Sequence, residues 1–369
     1  MSFAGTMRAE ADPRDEVPLS AESTGVQMLS ETEVAAYWTA ERMATAKAMP
    51  LIKVTDAPTP TDLGQEAGAG PAVIANAGGP GAKGTEKIMS PQEAQRFLGE
   101  PEPLFGTFPF SYTRYRLFPD TTTMYLTFPH RTVGKLFFTR GGSNFVCSGS
   151  SINSTNRSVV WTAGHCVATP GIGFHTNFLF APARRAGSNL LGTWTARQAF
   201  TLNGWFPQGK LQYDHGALVM NRGGVSSQKI NDAAGFLGFV ANIARGQHWH
   251  PQGYPAAPRN LAQTPPGAQF DGEHQEICAA AFAANDNPSP GTSADPATIG
   301  VGCDKTGGTS GGPWTKDFSG AGGATNLLNG NNSYRYTGPN PPENLKLFSP
   351  YFTTGAVNLR NQAQAVTVP

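Results

Sequence analysis

The sequence predicts an all-β fold preceded by a partly helical N-terminal extension. Only 14% of the 369 residues are charged, whereas glycine (44) and proline (30) are abundant. This composition favours many turns and short strands over long salt-bridged helices. From about Thr123 to Leu359 the chain contains short apolar or aromatic runs, such as residues 124–126 and 135–138, bounded by Pro, Gly, Asn and Thr. These runs have the length and the boundaries of β-strands.

Two capping boxes predict short helices in the extension. Ser30 and Glu33 are spaced so that each side chain satisfies the other residue's free backbone N–H, and a helix should follow and end before Pro50. The same pattern recurs at residues 90–93, with proline at the first helical position. Residues 57–84 are dense in Pro, Gly, Ala and Thr and predict a low-complexity linker, because such a segment can bury little apolar area.

The charge balance bears on the partners of the protein. The formal net charge is +1, and no cluster of Lys and Arg is visible, which argues against nucleic-acid binding. No stretch approaches the apolar length of a transmembrane helix, so we expect no membrane partner. The first sixteen residues lack the unbroken apolar run of a secretory signal peptide.

The cysteines indicate disulfides rather than a metal site. The chain contains four of them: Cys147, Cys166, Cys278 and Cys303. An even count without a C-x-x-C pair suits two disulfides and oxidising surroundings, and removes the main support for a metal knuckle. His248 and His250 would share one face of a strand and could ligate zinc, but no third ligand is evident. We therefore expect no metal and no organic cofactor, and place these histidines in a loop or at the rim of a substrate site.

Three segments carry reactive side chains. One apolar run ends on His165, where the end of a strand can hold an imidazole rigidly. A second apolar run begins at Asp214, whose carboxylate could be buried there only if it is paired. Ser310 stands among the small residues of 307–313, which let backbone and substrate approach it closely.

Together these residue types predict acyl transfer. A serine hydroxyl is a poor nucleophile and needs a neighbouring base, which His165 can supply. The imidazole must itself be held in one tautomer by a carboxylate, here that of Asp214. The tetrahedral oxyanion needs two convergent donors, and the backbone N–H groups of Gly308 and Ser310 can provide them because position 308 bears no obstructing side chain.

The three segments resemble the signature motifs of the trypsin-like, chymotrypsin-fold serine peptidases. The resemblance rests on residues 162–166, 214–218 and 308–313. It covers about residues 131–361 and includes the family's order of His, Asp and Ser. It implies two antiparallel β-barrels, at about 132–225 and 235–360, with the catalytic cleft between them. The implied function is a secreted, monomeric serine endopeptidase that hydrolyses proteins or peptides through an acyl-enzyme.

Further expectations follow from the same resemblance. Cys147 would bridge to Cys166, and residues 1–131 would be a propeptide ahead of a peptidase domain at 132–369, with Arg131 resembling a maturation junction. The pattern at residues 253–255 and 303–308 is more similar to secreted microbial enzymes of the glutamyl endopeptidase type than to animal trypsins. Animal enzymes carry an Asp immediately before the nucleophile to receive the freed amino terminus. Thr309 stands there in this chain, so that ion pair cannot form.

Substrate specificity stays open. Asp304 lies six residues before Ser310, where trypsin-like enzymes carry the carboxylate that binds a substrate's Lys or Arg. Relatives of the glutamyl type can also carry an Asp near that position, so basic, acidic and other preferences at the residue before the cleaved bond (P1) all remain. Ser333 lies in a segment that resembles the strand lining the S1 pocket, and would sit at that pocket. Two alternatives also remain: an inactive protease-fold binding or adhesion protein, and an extension that is a stable partner-binding domain.

Overall fold

The computed structural model describes residues 21–55, 68, 70–99, 111–256, 270–288, 290–292, 294–336 and 346–369. Its helices are α1 (Glu31–Tyr37), α2 (Ala40–Thr45), α3 (Pro91–Leu98), α4 (Thr122–Tyr125), α5 (Gly164–Val167), α6 (Ile230–Ala234) and α7 (Thr354–Ala365). Short 3₁₀ turns lie at His130–Thr132 and Leu211–Tyr213. None of the helices in these ranges is long and apolar enough to cross a membrane.

The strands fall into three consecutive groups. Those before residue 131 are β1 (Ser23–Gln27), β2 (Lys47–Ala48), β3 (Ile52–Val54), β4 (Ala72–Ala75), β5 (Glu86–Met89) and β6 (Thr113–Arg116). The next are β7 (Val133–Arg140), β8 (Ser143–Ser151), β9 (Val159–Thr162), β10 (Ala168–Thr169), β11 (Gly173–Phe174), β12 (Thr176–Pro182), β13 (Arg184–Arg185), β14 (Ser188–Asn189), β15 (Trp194–Leu202) and β16 (Gly216–Met220). The last are β17 (Gly238–Ala241), β18 (His248–Gly253), β19 (Glu276–Ala281), β20 (Ala284–Asp286), β21 (Thr298–Gly302), β22 (Pro313–Lys316), β23 (Leu327–Asn331), β24 (Tyr334–Tyr336) and β25 (Lys346–Ser349).

The first barrel is a closed antiparallel sheet. Strands β7, β8, β9, β16, β15 and β12 pair in that order, and β12 returns to β7. The β7–β8 hairpin turns at Gly141 and Gly142, whose φ angles of 53° and 77° suit glycine and the tight two-residue turn that such hairpins favour. Leu136, Phe138 and Phe180 point inward and are fully buried. Burial of these large side chains is the main force that holds the barrel closed.

The second barrel is built from two sheets. One runs β17-β23-β22-β18-β19 and the other β20-β21-β25-β24. The C-terminal helix α7 contacts β15 and β16 of the first barrel, and its Leu359 and Ala363 join the apolar cluster around Trp161. The predicted all-β, two-barrel, chymotrypsin-like architecture is thereby confirmed.

Both expected disulfides are present. Cys147 on β8 is bonded to Cys166 on α5, and Cys278 on β19 is bonded to Cys303, which follows β21. The first bridge ties the helical turn of His165 to the barrel wall, and the second ties the chain just before Asp304 to β19.

Strands of the extension are integrated into both barrels. β1 pairs with β15 and β2 with β8, while β3 pairs with β24, β4 with β17 and β6 with β19. Both predicted capping boxes are confirmed, at the starts of α1 and α3. Val34 and Trp38, at the end of α1, pack against Phe137 of the first barrel. The described part of the extension therefore shares its core with the main domain.

The linker prediction for residues 57–84 is wrong where the structure describes that segment. β4 (Ala72–Ala75) is a buried strand between β17 and β5. The average composition hid a local apolar run, and hydrogen bonding on both edges allows so short a run to be buried. Residues 57–67 and 69 lie outside the described residues.

The expected strand at residues 124–126 is also wrong, because the helix α4 (Thr122–Tyr125) ends within them. The hydroxyl of Thr121 accepts a hydrogen bond from the backbone N–H of Met124 at 3.2 Å and caps the first turn. This cap decides the local structure against the β propensity of the run.

Candidate active site

His165 lies directly after strand β9, on the short helix α5. Its side chain is 3% exposed and its ring meets the edge of Trp205 at a centroid distance of 6.2 Å. The preceding Gly164 leaves room for that indole, since a Cβ there would lie 2.7 Å from the Trp205 ring. Glycine before the histidine and the Cys147–Cys166 bridge after it fix the position of the imidazole.

Asp214 is held at the same end of the barrel by the neighbouring strand. β16 pairs with β9 so that Gly216 is opposite Thr162, which brings the residues that flank these strands together. Asp214 Oδ2 lies 2.7 Å from His165 Nδ1, and Oδ1 accepts the backbone N–H of His165 at 2.6 Å. The carboxylate is fully buried. It therefore orients both the ring and the backbone of His165.

Hydrogen bonds to Asp214 keep it ionised despite its burial. Burial by itself raises the pKa of Asp214, but the nearby His165 and the hydrogen bonds from His165 and Ser333 outweigh it and hold that pKa below its ordinary value. The hydroxyl of Ser333 donates to Oδ2 at 2.6 Å, and Asn331 Nδ2 donates to the backbone carbonyl of Asp214 at 3.1 Å.

Ser310 stands in a turn that packs against the end of β9, just before His165. The next residue, Gly311, has a φ of 78°, and a Cβ there would lie 2.7 Å from the backbone nitrogen of Ala163 and would also overlap Thr162. The carbonyl of Ser310 accepts the N–H of Ser148 at 2.7 Å. His165 Nε2 and Ser310 Oγ are both buried, and neither has a hydrogen-bond partner among the described residues. The two atoms are therefore not hydrogen-bonded to each other, and both remain able to take a new partner.

Gly308, one of the two predicted oxyanion donors, has a backbone conformation that favours glycine. Its φ is 91°, in the region that favours glycine, and a Cβ would lie 2.8 Å from the carbonyl oxygen of Tyr254. Its backbone N–H donates at 2.8 Å to the carbonyl of Met49, a residue of the N-terminal extension. One of the two predicted oxyanion donors is thus occupied by the protein's own chain.

Two solved structures of bacterial or extremophile proteases are similar to this chain over most of their own length. The protease Anisep from Arthrobacter nicotinovorans is 37% identical, with a TM-score of 0.54, and the similarity covers 64% of this chain and 96% of that one. The thermostable serine protease AL20 from an extremophilic microorganism is 32% identical, with a TM-score of 0.52, over 64% of this chain and 98% of that one. The chain belongs to the trypsin-like serine peptidases of the chymotrypsin fold.

A comparison with curated proteins and one with family models give less information about this peptidase. An extracellular metalloprotease of Bacillus subtilis (strain 168) is 32% identical over 79 residues, which are 21% of this chain and 24% of that protein. The chain thus matches about a quarter of the length of that curated relative. No family model matches the peptidase sequence.

The candidate metal-ligand clusters of the peptidase contain disulfides. Within the described ranges, His165 lies near Cys147 and Cys166, and Asp304 near Cys278 and Cys303. All four cysteines are bonded in pairs, so their sulfurs are not the thiolates that bind zinc. His248 and His250 lie on strand β18 rather than in a loop, with ring centroids 5.0 Å apart, which corrects that part of the prediction.

The structure places Asp304 in an ion pair with the extension. Arg114 Nε lies 3.3 Å from Asp304 Oδ1, and Arg114 Nη1 lies 2.7 Å from Glu276. The side chains of Asp304 and Glu276 are both only 2% exposed. The charges of Lys305 and Arg335 also interact with Asp304. The carboxylate predicted to read a basic substrate side chain is already surrounded by cations.

Sequence reasoning missed one contact each of Ser333 and Arg114. The hydroxyl of Ser333 is fully buried and donates to Asp214, whereas its place at the S1 pocket stays a prediction. Arg114 was not singled out. The alternation Thr-Arg-Tyr-Arg of β6 was a usable signal, because it puts two arginines on one face of a strand, where a buried acid would be expected to meet them.

Proposed function

We propose that this protease is a serine endopeptidase that cleaves peptide bonds through an acyl-enzyme, made as a secreted proenzyme. Ser310 Oγ attacks the peptide carbonyl, and His165 Nε2 takes its proton and then donates it to the leaving amine. Asp214 holds the His165 tautomer, and the backbone N–H groups of Gly308 and Ser310 stabilise the oxyanion. The observation that supports the proposal is the buried Asp214–His165 pair, next to which Gly311 brings the Ser310 turn into close approach with Ala163.

Secretion and proenzyme status rest on separate observations. Two disulfides suit an oxidising compartment, and one relative is named as an extracellular protease. Synthesis as a proenzyme is supported by the Met49 carbonyl on the N–H of Gly308. The structure does not favour Arg131 as the maturation junction, because its guanidinium donates to the carbonyls of Leu126 and Ala233 and the following Thr132 is fully buried.

Substitution of the nucleophile tests the proposal. We expect stoichiometric labelling of Ser310 by a fluorophosphonate, and Ser310→Ala to abolish it and to lower kcat by about 10⁶-fold, as loss of a triad nucleophile does elsewhere. Mass spectrometry locates the label, and peptide turnover gives kcat. The exposed Ser226→Ala is the matched control and should change neither quantity.

Two results would reject this function. Labelling that persists in Ser310→Ala would place the nucleophile elsewhere. Lack of both labelling and turnover of a diverse peptide library, in chain whose extension has been cleaved and which thermal unfolding shows to be folded, would instead favour an inactive protease-fold binding protein.

A further inference from the structure

Residues 47–54 of the extension cross the cleft between the barrels. β2 pairs with β8 of the first barrel in parallel, with Lys47 opposite Phe145 and Ala48 opposite Val146. β3 pairs in parallel with β24 of the second barrel, with Ile52 opposite Tyr334. Between the two strands the chain passes the Ser310 turn. The segment is therefore hydrogen-bonded to both walls of the candidate active site.

Main-chain contacts of this segment reach the groups that the reaction needs. The Met49 N–H donates to Val146 at 2.9 Å, and the Met49 carbonyl accepts the N–H of Gly308 at 2.8 Å. The Ile52 N–H donates at 3.4 Å to the carbonyl of Ser333, the residue whose hydroxyl bonds to Asp214. A peptide carbonyl on the N–H of Gly308 occupies the position at which a substrate's oxyanion would be stabilised.

The side chains of the segment are buried as those of a bound ligand would be. Met49 and Leu51 are each 4% exposed. Met49 belongs to the apolar cluster that contains Cys147 and Ala163, whereas Leu51 belongs to the cluster of the second barrel that contains Cys303. Pro50 and Lys53 are exposed. Two apolar anchors, one on each barrel, fasten the segment across the cleft.

We propose that residues 47–54 are a built-in inhibitor that occupies the cleft and withholds the Gly308 N–H from substrate. This inference rests on the proposed function of the same site. Strand addition to an exposed edge, with apolar side chains in flanking pockets, is a general way of binding an extended peptide. Because the segment is covalently attached, its effective concentration is high, and modest contacts are enough to keep the cleft filled.

Loosening the segment in the full-length chain tests the proposal. Leu51→Asp places a charge at a buried apolar anchor, and Ile52→Pro removes the N–H that bonds to Ser333 and breaks the pairing of β3. We expect each variant to react with a fluorophosphonate at Ser310 at least about tenfold faster than the unchanged chain, because the open state becomes more populated. Lys53→Ala is the matched control on the same strand and should react at the unchanged rate, since its side chain is exposed.

Three measurements distinguish an unfolded variant from a wrong inhibitor proposal and from a wrong proposed function. Mass spectrometry shows that each chain is still intact, and thermal unfolding shows that it is folded; if Leu51→Asp does not fold, Ile52→Pro decides. Equal labelling rates for the unchanged chain and a folded loosened variant would overturn the inhibitor while leaving the nucleophile assignment intact. Lack of Ser310 labelling in the unchanged chain and in every folded loosened variant would overturn the proposed function itself and the inhibitor with it.

Discussion

Asp214 and Asp304 are both fully buried carboxylates predicted to act at the site, yet their surroundings differ in kind. Asp214 is contacted by the imidazole and the backbone N–H of His165 and by the hydroxyl of Ser333. Asp304 instead contacts the guanidinium of Arg114 and interacts with the charges of Lys305 and Arg335. His165 and the hydroxyl of Ser333 hold the charge of Asp214 at the imidazole, whereas the charge of Asp304 is paired with a guanidinium of the extension. Burial of an acid therefore does not by itself make it a functional group.

The largest expected difference between the two regions is in turnover. Asp214→Asn removes the acceptor for His165 Nδ1, favours the wrong tautomer, and should lower kcat by about 10⁴-fold. Asp304→Asn should leave kcat within about tenfold, and should change the preference for P1 arginine over P1 leucine by less than about tenfold, because Arg114 already pairs with the carboxylate. Steady-state kinetics on the two substrates measure both effects.

The Asp304 substitution can contradict the claim that Asp304 does not bind the substrate. A selective loss of about 100-fold or more on the arginine substrate would show that Asp304 contacts the substrate, and that Arg114 leaves it when the enzyme is active. Glu276 still pairs with Arg114 and Arg116 in Asp304→Asn, so the variant leaves Arg114 with a buried partner.

Ser333→Ala measures how much the hydrogen bond from Ser333 to Asp214 contributes to turnover. It removes one hydrogen bond to a buried carboxylate, a contact of about 1.5–3 kcal/mol, and we expect kcat to fall roughly tenfold. Ser150→Ala is the matched control, because its buried hydroxyl has no hydrogen-bond partner among the described residues. An unchanged kcat in Ser333→Ala would show that the two bonds from His165 alone position Asp214.

The same variant has a pH signature. The folded-state pKa of Asp214 is held below its ordinary value, so its contribution to stability is present above that value and is lost as pH falls through the folded-state pKa. Loss of the Ser333 bond raises the folded-state pKa. Acid unfolding of Ser333→Ala, followed by circular dichroism, should therefore begin at higher pH than in the unchanged protein.

The positions of His165 and Asp214 could be predicted because each residue adjoins an apolar run within a motif that resembles those of the peptidase family. Each residue adjoins an apolar run, the two runs become the paired strands β9 and β16, and the pairing brings the two side chains together. The glycines around Ser310 were informative for the same reason, since the φ of 91° at Gly308 and the close approach of Gly311 to Ala163 are backbone requirements that glycine meets.

The contacts of Met49 and Arg114 could not be predicted in this way. Met49 meets Gly308 across 259 positions of sequence, and Arg114 meets Asp304 across 190. Strand registers between segments so distant depend on which edges remain unpaired after both barrels have formed. Composition also misled at Ala72–Ala75, where four apolar residues within a segment rich in glycine and proline form a buried strand.

Substitution of Lys305 has the smallest expected effect. It tests whether this buried lysine near Asp304 is charged in the folded protein. Its side chain is fully buried and its Nζ donates to the carbonyl of Pro251. Burial lowers the pKa of Lys305 to about 7, although Glu276 and Asp304 oppose that shift. A lysine with a depressed folded-state pKa destabilises the fold below that pKa, and the penalty fades as pH rises towards the ordinary value, because the unfolded chain binds more protons than the folded one.

Lys305→Met should therefore raise Tm at pH 6–7. The rise should be roughly 1–2 °C for each kcal/mol by which the removed cost of burying the charge exceeds the lost bond to Pro251. The gain over the unchanged protein should shrink steadily between about pH 7 and pH 10, where the buried amine is neutral in the folded state and progressively less protonated in the unfolded one. The exposed Lys83→Met serves as the control for a change of net charge. A pH-independent difference in Tm would show that Lys305 stays charged in the fold, and hence that Asp304 and Glu276 compensate its charge fully.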